Sequence, residues 1–238
     1  MSAIKPNGFE VLPPVTKNIL IICGLLFMAT FVAQNYGIDL QDKLGLHFPL
    51  SSQFKLYQIV THLFMHGGLG HLFFNMLSLW MFGSVLENYW GSKRFLNFFL
   101  ISGLGAAFIH YLILYFVELK PAIDLVELQL KTASNLDVFK LQQTKDAILG
   151  APNILGASGG IAGILVAFAY LFPNSEIYLY FLLPIKAKYA IIAYIAFELY
   201  QAVQFNPNDN VAHFAHLGGM LFGFIAVKIF NNNRNIFY

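Results

Sequence analysis

Residues 154–168 read ILGASGGIAGILVAF, with one serine, Ser158, among glycines and alanines at the start of an apolar segment. The chain has 238 residues, of which 58% are hydrophobic and 11% charged. A soluble domain carries about 25% charged residues, so this composition predicts an integral membrane protein. The formal net charge is +2 without a long basic run, which speaks against a nucleic-acid partner. Ser158 therefore stands at the mouth of a membrane segment, where it serves either packing or chemistry.

Six segments are apolar enough to cross the bilayer, although several are shorter than the ~20 residues of a full span. They are residues 19–33, 70–86, 95–117, 158–172, 189–203 and 214–230. An inner N-terminus puts eight Lys and Arg residues in inner segments and six in outer loops, four of them in one long loop. We therefore expect one all-α membrane domain over residues 1–238, a bundle of six transmembrane helices with a cytoplasmic N-terminus and an uncleaved first span.

Two outer loops are unusual. Residues 118–153 have apolar side chains at three- and four-residue steps, which predicts an amphipathic helix lying in the outer interface. A tolerated surface insertion is the alternative. Residues 37–69 are too apolar and aromatic for an ordinary solvent loop, so we expect them to lie half-buried along the outer leaflet.

Strongly polar residues lie at the starts of the second, fourth and sixth spans. His71 and Asn75 are four residues apart on one helix face, Ser158 opens the fourth span, and His213 and His216 open the sixth. These three spans run in the same direction, so their first turns lie at the same depth near the outer face. Intramembrane polar groups are costly, and this convergence predicts a functional site.

The spacing of glycines predicts which spans pack against each other. Gly159 with Gly163, and Gly219 with Gly223, form small-xxx-small patterns that let membrane helices touch closely. Contact between the fourth and sixth spans would bring Ser158 to His216, as a nucleophile and its base require. A fourth span of about 22 Å also leaves Ser158 sunken below the outer surface.

Other chemistries fit less well. GASGG matches the nucleophile elbow of soluble hydrolases, but that elbow needs a preceding strand, which is missing here. The histidines could suggest a metal, yet the HExxH motif is absent and no carboxylate is expected near them, since Glu87 lies at the opposite end of its span and Glu198 within the fifth span. We expect no metal and no cofactor. A proton-relay transporter would need paired intramembrane acids and inverted repeats, and the sequence shows neither. We expect His62 and His66 to fix the outer loop, and His110 to form an interhelical hydrogen bond.

The chain resembles the rhomboid intramembrane serine proteases from about residue 58 to residue 230. The matching pieces, each at its own span, are HLFMHGGLGHLFFNM (62–76), GSVLENYWGSKRF (83–95), GASG (156–159) and AHLGGMLFG (215–223).

This resemblance implies that Ser158 is the nucleophile and His216 its general base, a dyad without the acid of the soluble triad. His71, Asn75 and the Ser158 N–H would stabilise the oxyanion. Gly156 would keep the approach to the serine open.

The resemblance also implies a structural role for Glu87 and a fifth helix that gates lateral access, with Tyr194 and Phe197 as gate candidates. The residues expected to shape the site are Gly156, Gly159, Ala162 and His213.

We expect an endopeptidase that cleaves transmembrane segments near their outer ends, with substrates arriving laterally from the lipid bilayer. The alternative is a catalytically silent rhomboid-like protein that binds membrane clients. The simplest location is the bacterial cytoplasmic membrane, because nothing in the sequence marks an organelle.

Three features depart from the family pattern. Residues 56–58 read Leu-Tyr-Gln where some members have a Trp-Arg pair, and the third loop is long. Many members have an aromatic residue four positions after the serine, stacked under the base histidine. Ala162 stands there in this chain, so we expect another residue to orient His216, with Phe214 or another aromatic residue as the candidate.

Overall fold

A computed structural model describes residues 8–179, 183–204 and 212–232. The chain is mostly helical, at 75%. The helices are α1 (Pro14–Gln34), α2 (Leu40–Leu44), α3 (Gln58–Thr61), α4 (Leu69–Ser78), α5 (Ser84–Trp90), α6 (Ser92–Leu114), α7 (Lys120–Leu130), α8 (Asn135–Gly150), α9 (Ser158–Leu171), α10 (Ala187–Gln204) and α11 (His213–Asn232). Two short antiparallel sheets pair β1 (Leu46–His47) with β2 (Asn153–Ile154), and β3 (Glu176–Leu179) with β4 (Leu183–Lys186).

Among the described residues, four helices are long and apolar enough to cross a membrane. They are α1, α4 joined to α5 through a π-helical turn (Leu69–Trp90), α6 joined to α7 through another (Ser92–Leu130), and α11. The predicted fourth and fifth spans are also helical, as α9 and α10, but have only 14 and 18 residues. Six spans and an inner N-terminus therefore stay predictions. The charge count behind that orientation includes Lys5 and Arg234, which lie outside the described residues.

Residues 118–153 differ from the single amphipathic helix that the sequence predicts. α6 does not end near residue 117 but continues through a π-helical turn into α7, and α8 packs back against α7 as a second helix. An ion pair of 2.6 Å joins Lys145 on α8 to Glu127 on α7. Pro121 would ordinarily interrupt a helix, but it lies just after the π-helical turn, so the missing N–H falls where the helical hydrogen-bond pattern already changes.

α6, α9 and α11 pack against one another at the centre of the molecule. The rings of Phe95, Phe98 and Phe99 on α6 are fully buried, together with Ile164 on α9 and Val227 on α11. Part of the segment that precedes α4 is also buried. His62, Leu63, Met65 and His66 there are each 1% exposed, which confirms that part of residues 37–69 is buried.

Glu87 on α5 has a structural role, as predicted. Its buried carboxylate accepts hydrogen bonds from the Val15 and Thr16 N–H groups at 2.8 and 2.7 Å, and from the Thr16 and Ser92 hydroxyls. The first N–H groups of a helix lack intrahelical acceptors, so Glu87 satisfies the start of α1 and ties it to α5 and α6.

Candidate active site

Ser158 is the first residue of α9, as the sequence predicted. The first N–H groups of a helix have no acceptor within the helix, and the helix dipole adds partial positive charge there. Gly156, two residues earlier, has a φ of +123°, and a Cβ at this position would lie 2.8 Å from Cε1 of His71. Only glycine fits here, which places the His71 ring against the turn that precedes the serine.

The predicted glycine contact between α9 and α11 is confirmed. A Cβ at Gly163 would lie 2.9 Å from the Gly219 carbonyl oxygen, and one at Gly223 would lie 2.5 Å from the Gly163 Cα. A Cβ at Gly219 would overlap the backbone of Gly159. The two backbones therefore touch along their first halves, as small residues permit in membrane helices.

This contact brings the polar ends of three helices to one cavity of about 1280 Å³. Its lining includes Ser158 from α9, His216 from α11, and His71 and Asn75 from α4. The convergence deduced from helix direction is therefore present in the structure.

Other expected site residues are divided between the cavity wall and its surroundings. Tyr194 on α10 lines the cavity, whereas Phe197 is 54% exposed and is not part of the lining. Gly159 lies in the helix contact, and Ala162 is buried among Tyr194, Leu217 and their neighbours. His213 is buried, and its ring centroid lies 6.4 Å from that of His216.

Asn75 presents a free donor. It is 7% exposed, and its buried Nδ2 has no hydrogen-bond partner among the described residues. An unpaired buried donor is costly, so a donor kept unpaired beside a cavity is suited to a ligand oxygen.

The structure adds a carboxylate that sequence reasoning did not place at the site. Glu198 on α10 is 3% exposed, and its Oε1 lies 2.9 Å from Nδ1 of His216. Its Oε2 lies 2.7 Å from Nδ1 of His213. The inference that Glu198 is remote from the histidines is therefore wrong, because sequence separation says nothing about which helices pack together. An ionisable residue inside a predicted span was a signal that could have found it.

The same three side chains could also hold a metal ion. Glu198, His213 and His216 offer ligand atoms that all lie within 4.8 Å of one another. Hydrogen bonds of 2.7 and 2.9 Å already link these atoms, which accounts for the geometry without an ion.

His110 on α6 is a second residue whose position was not foreseen. It lines the same cavity, and its buried Nδ1 has no hydrogen-bond partner among the described residues. The interhelical hydrogen bond expected of the His110 side chain is therefore not formed by Nδ1 in the part of the chain that the structure describes.

His62 forms a hydrogen bond within residues 37–69, as expected, whereas His66 has only a local one, and its buried Nε2 has no partner among the described residues. Nδ1 of His62 is 2.8 Å from the Gln58 carbonyl, and Nδ1 of His66 is 3.3 Å from the Phe64 carbonyl. The His62 carbonyl accepts the Gly156 N–H at 2.9 Å, which links this segment to the serine turn. Burial lowers the pKa of both imidazoles to about 4, and nearby His71 adds to the effect on His66.

Comparison with known proteins identifies the family. The rhomboid domain model matches residues 53–233, which is most of the chain and includes every residue of the cavity wall named above. The chain belongs to the rhomboid family.

Relatives of this rhomboid chain come from plants, fungi and bacteria. RHOMBOID-like protein 12, mitochondrial, of Arabidopsis thaliana is 26% identical over 84% of this chain and 52% of its own length. Rhomboid protein 1, mitochondrial, of Saccharomyces cerevisiae is 29% identical over 74% of this chain and 43% of its own length. Rhomboid protease GlpG of Klebsiella pneumoniae is 34% identical over 41% of this chain and 35% of its own length. The chain thus spans about half, or less, of these relatives.

The comparisons overturn the expected location. Two of these three relatives are named as mitochondrial proteins, which contradicts the prediction of a bacterial cytoplasmic membrane. Hydropathy determines whether a segment enters a bilayer but not which membrane receives it, so the sequence argument had no physical basis for that choice.

The structure also explains one departure from the rhomboid pattern. Gln58 stands near the place of the Trp-Arg pair and is 1% exposed. Its Oε1 accepts the Lys55 N–H at 3.0 Å, and its Nε2 donates to the carbonyls of Lys43 and Gln53 at 3.2 Å each. This buried amide therefore links separate parts of residues 37–69 through hydrogen bonds.

Proposed function

We propose that this rhomboid chain is an intramembrane serine endopeptidase that cleaves transmembrane segments near their outer ends. The observation that carries this proposal is the single cavity shared by Ser158, His216, His71 and Asn75. Rhomboid-family membrane proteins act on transmembrane substrates in the bilayer, and a catalytic serine with a histidine base is the chemistry that such a cavity can supply.

In the proposed mechanism, Oγ of Ser158 attacks the scissile carbonyl carbon while Nε2 of His216 takes the hydroxyl proton. The carbonyl oxygen becomes an oxyanion that accepts hydrogen bonds from the Ser158 N–H and from the side chains of Asn75 and His71. His216 then gives the proton to the leaving amine. Water enters through the cavity and, with His216 again as base, hydrolyses the acyl-enzyme.

The membrane arrangement belongs to this proposal. We place α9 and α10 as two further spans beside the four longer helices, with the N-terminus inside. An α9 of about 21 Å cannot cross a ~30 Å hydrocarbon layer, so its first residue lies below the outer surface. The mitochondrial relatives favour a mitochondrial membrane. Sidedness can be tested by impermeant thiol labelling of Glu10→Cys and Thr132→Cys in a Cys23→Ala background, since the two cysteines should be labelled from opposite sides.

A fluorophosphonate probe tests the reaction. In detergent, the wild-type protein should be labelled at Ser158 and should cleave a model transmembrane peptide, whereas Ser158→Ala and His216→Ala should lose both activities. Ser78 lies on the same cavity wall, so Ser78→Ala is the matched control and should be labelled like wild type. Labelling or cleavage that persists in Ser158→Ala contradicts the proposal. A well-folded wild-type protein that is never labelled, yet captures membrane peptides, would favour the silent client-binding alternative.

A further inference from the structure

A buried carboxylate on the fifth predicted span contacts the proposed base. Glu198 is 3% exposed, and each of its oxygens accepts from a different histidine of α11. A charge inside a membrane protein is costly unless it is paired and hydrogen-bonded. Hydrogen bonds with His213 and His216 offset the cost of burying the Glu198 carboxylate.

The contact selects the tautomer of His216. An ionised carboxylate only accepts hydrogen bonds, so the Nδ1 atom that lies 2.9 Å from Glu198 Oε1 must carry the hydrogen. In the neutral ring, Nε2 is then left with a free lone pair. His216 also lines the cavity that holds Ser158, where a free lone pair is what a general base needs.

We propose that Glu198 is a positioning residue that acts through His216 and completes a Ser158–His216–Glu198 triad. This inference rests on the proposed protease function. It supplies the group that orients His216 in the absence of an aromatic ring at position 162. When Nε2 takes the serine proton, the ring becomes a cation, and the carboxylate on its far side stabilises that charge.

His213 fixes the carboxylate itself. Its Nδ1 lies 2.7 Å from Oε2, while His216 occupies Oε1, so both oxygens are engaged at once. A carboxylate held at both oxygens cannot rotate about its terminal bond without losing a hydrogen bond. The plane of Glu198, and with it the direction of the bond to His216, is thereby determined.

The test is Glu198→Gln in the full chain in detergent. The amide keeps the size of the side chain but removes the charge and offers only one acceptor oxygen for two Nδ1–H donors. We expect kcat for a model transmembrane peptide to fall by about 100- to 10,000-fold, with KM little changed. Glu127→Gln makes the same chemical change at an exposed carboxylate that pairs with Lys145, and should keep the wild-type kcat.

A spectroscopic readout covers the case in which the variant does not fold. In ¹⁵N-histidine-labelled wild-type protein, the His216 resonances, assigned by their loss in His216→Gln, should show a protonated Nδ1 and an unprotonated Nε2 near neutral pH. A hydrogen on Nε2 with an unprotonated Nδ1 would overturn the inference. In folded Glu198→Gln, the fixed tautomer should be lost, which a purely structural carboxylate would not cause.

The two proposals fail separately. Cleavage that survives in Ser158→Ala would overturn the protease function. Cleavage that is lost in Ser158→Ala but keeps its wild-type kcat in Glu198→Gln would leave that function standing and overturn the role of Glu198 alone.

Discussion

Oε1 of Glu198 lies 2.9 Å from Nδ1 of His216, although the two residues are 18 positions apart and belong to different helices. The contact joins α10, which carries the gate candidate Tyr194, to α11, which carries the proposed base. Movement of α10 away from α11 would have to break it. Under the proposed roles of α10 as gate and His216 as base, one buried carboxylate would link access to the cavity with the orientation of the base.

Gly156→Ala should inactivate the protein without unfolding it. A methyl group at this position would lie 2.8 Å from Cε1 of His71 and would push the ring or the serine turn aside. A displacement of about 1 Å in an active site can cost roughly 100-fold in rate. The measurement is kcat for a model transmembrane peptide, with thermal unfolding in detergent as the folding check.

Gly37→Ala is the control for the backbone. Gly37 also has a positive φ, of +71°, but a Cβ there meets nothing within 4 Å. Alanine at position 37 should cost about 1–2 kcal/mol in backbone conformation and keep wild-type kcat. Equal activity of the two variants would contradict the role given to Gly156.

Gly219→Ala should lower both stability and activity, because its Cβ would overlap the backbone of Gly159 and force α9 and α11 apart. Overpacking of this kind typically costs about 1–3 kcal/mol. The unfolding temperature in detergent and the rate of fluorophosphonate labelling of Ser158 should fall together. Gly24→Ala on α1, whose Cβ meets nothing within 4 Å, should lower neither, since alanine favours a helix more than glycine does.

Asn75→Ala should reduce turnover and leave stability unchanged. The Nδ2 atom has no hydrogen-bond partner among the described residues, so its removal breaks no bond that the structure shows. Loss of one oxyanion donor costs about 100- to 1,000-fold in kcat. An unchanged rate, or a lower unfolding temperature with a proportional loss of active protein, would argue for a structural asparagine instead.

Acid should destabilise residues 37–69 through protonation of His62. Burial lowers its pKa from 6.5 to about 4, so between these pH values the unfolded state binds a proton that the folded state does not. The folded-state stability is therefore full above pH 6.5 and declines as the pH falls towards 4, by up to about 3 kcal/mol. His62→Gln should flatten this part of the pH dependence of the unfolding temperature, and identical pH profiles would contradict the assignment.

Chelation with EDTA should leave peptide cleavage unchanged. Although Glu198, His213 and His216 could hold a metal ion, an Nδ1 that donates its hydrogen to a carboxylate cannot also coordinate one. Activity that is lost with EDTA and restored by Zn²⁺ would show that the three residues form a metal site, and would contradict the hydrogen-bonded triad.

Much of the molecule follows from local pattern. Hydrophobic runs predicted every helix that carries the site, because a segment in lipid must satisfy its own backbone by forming a helix. The glycine spacing predicted the α9–α11 contact, and the common direction of three helices predicted that Ser158, His216, His71 and Asn75 would meet. Local pattern did not predict that α6 continues into α7, because Pro121 disfavours a helix interior and the π-helical turn before it is seen only in the structure.

Only the tertiary structure decided what surrounds His216. The sequence shows Ala162 where a ring was expected and leaves Glu198 in the middle of an apolar segment, with no local pattern that relates it to a histidine 18 residues later. A buried charge is stabilised by the partner that lies next to it in the packed structure. That partner depends on how α10 rotates and docks on α11. Sequence periodicity determines which face of a helix is apolar, but the docking of two helices selects which polar atoms meet.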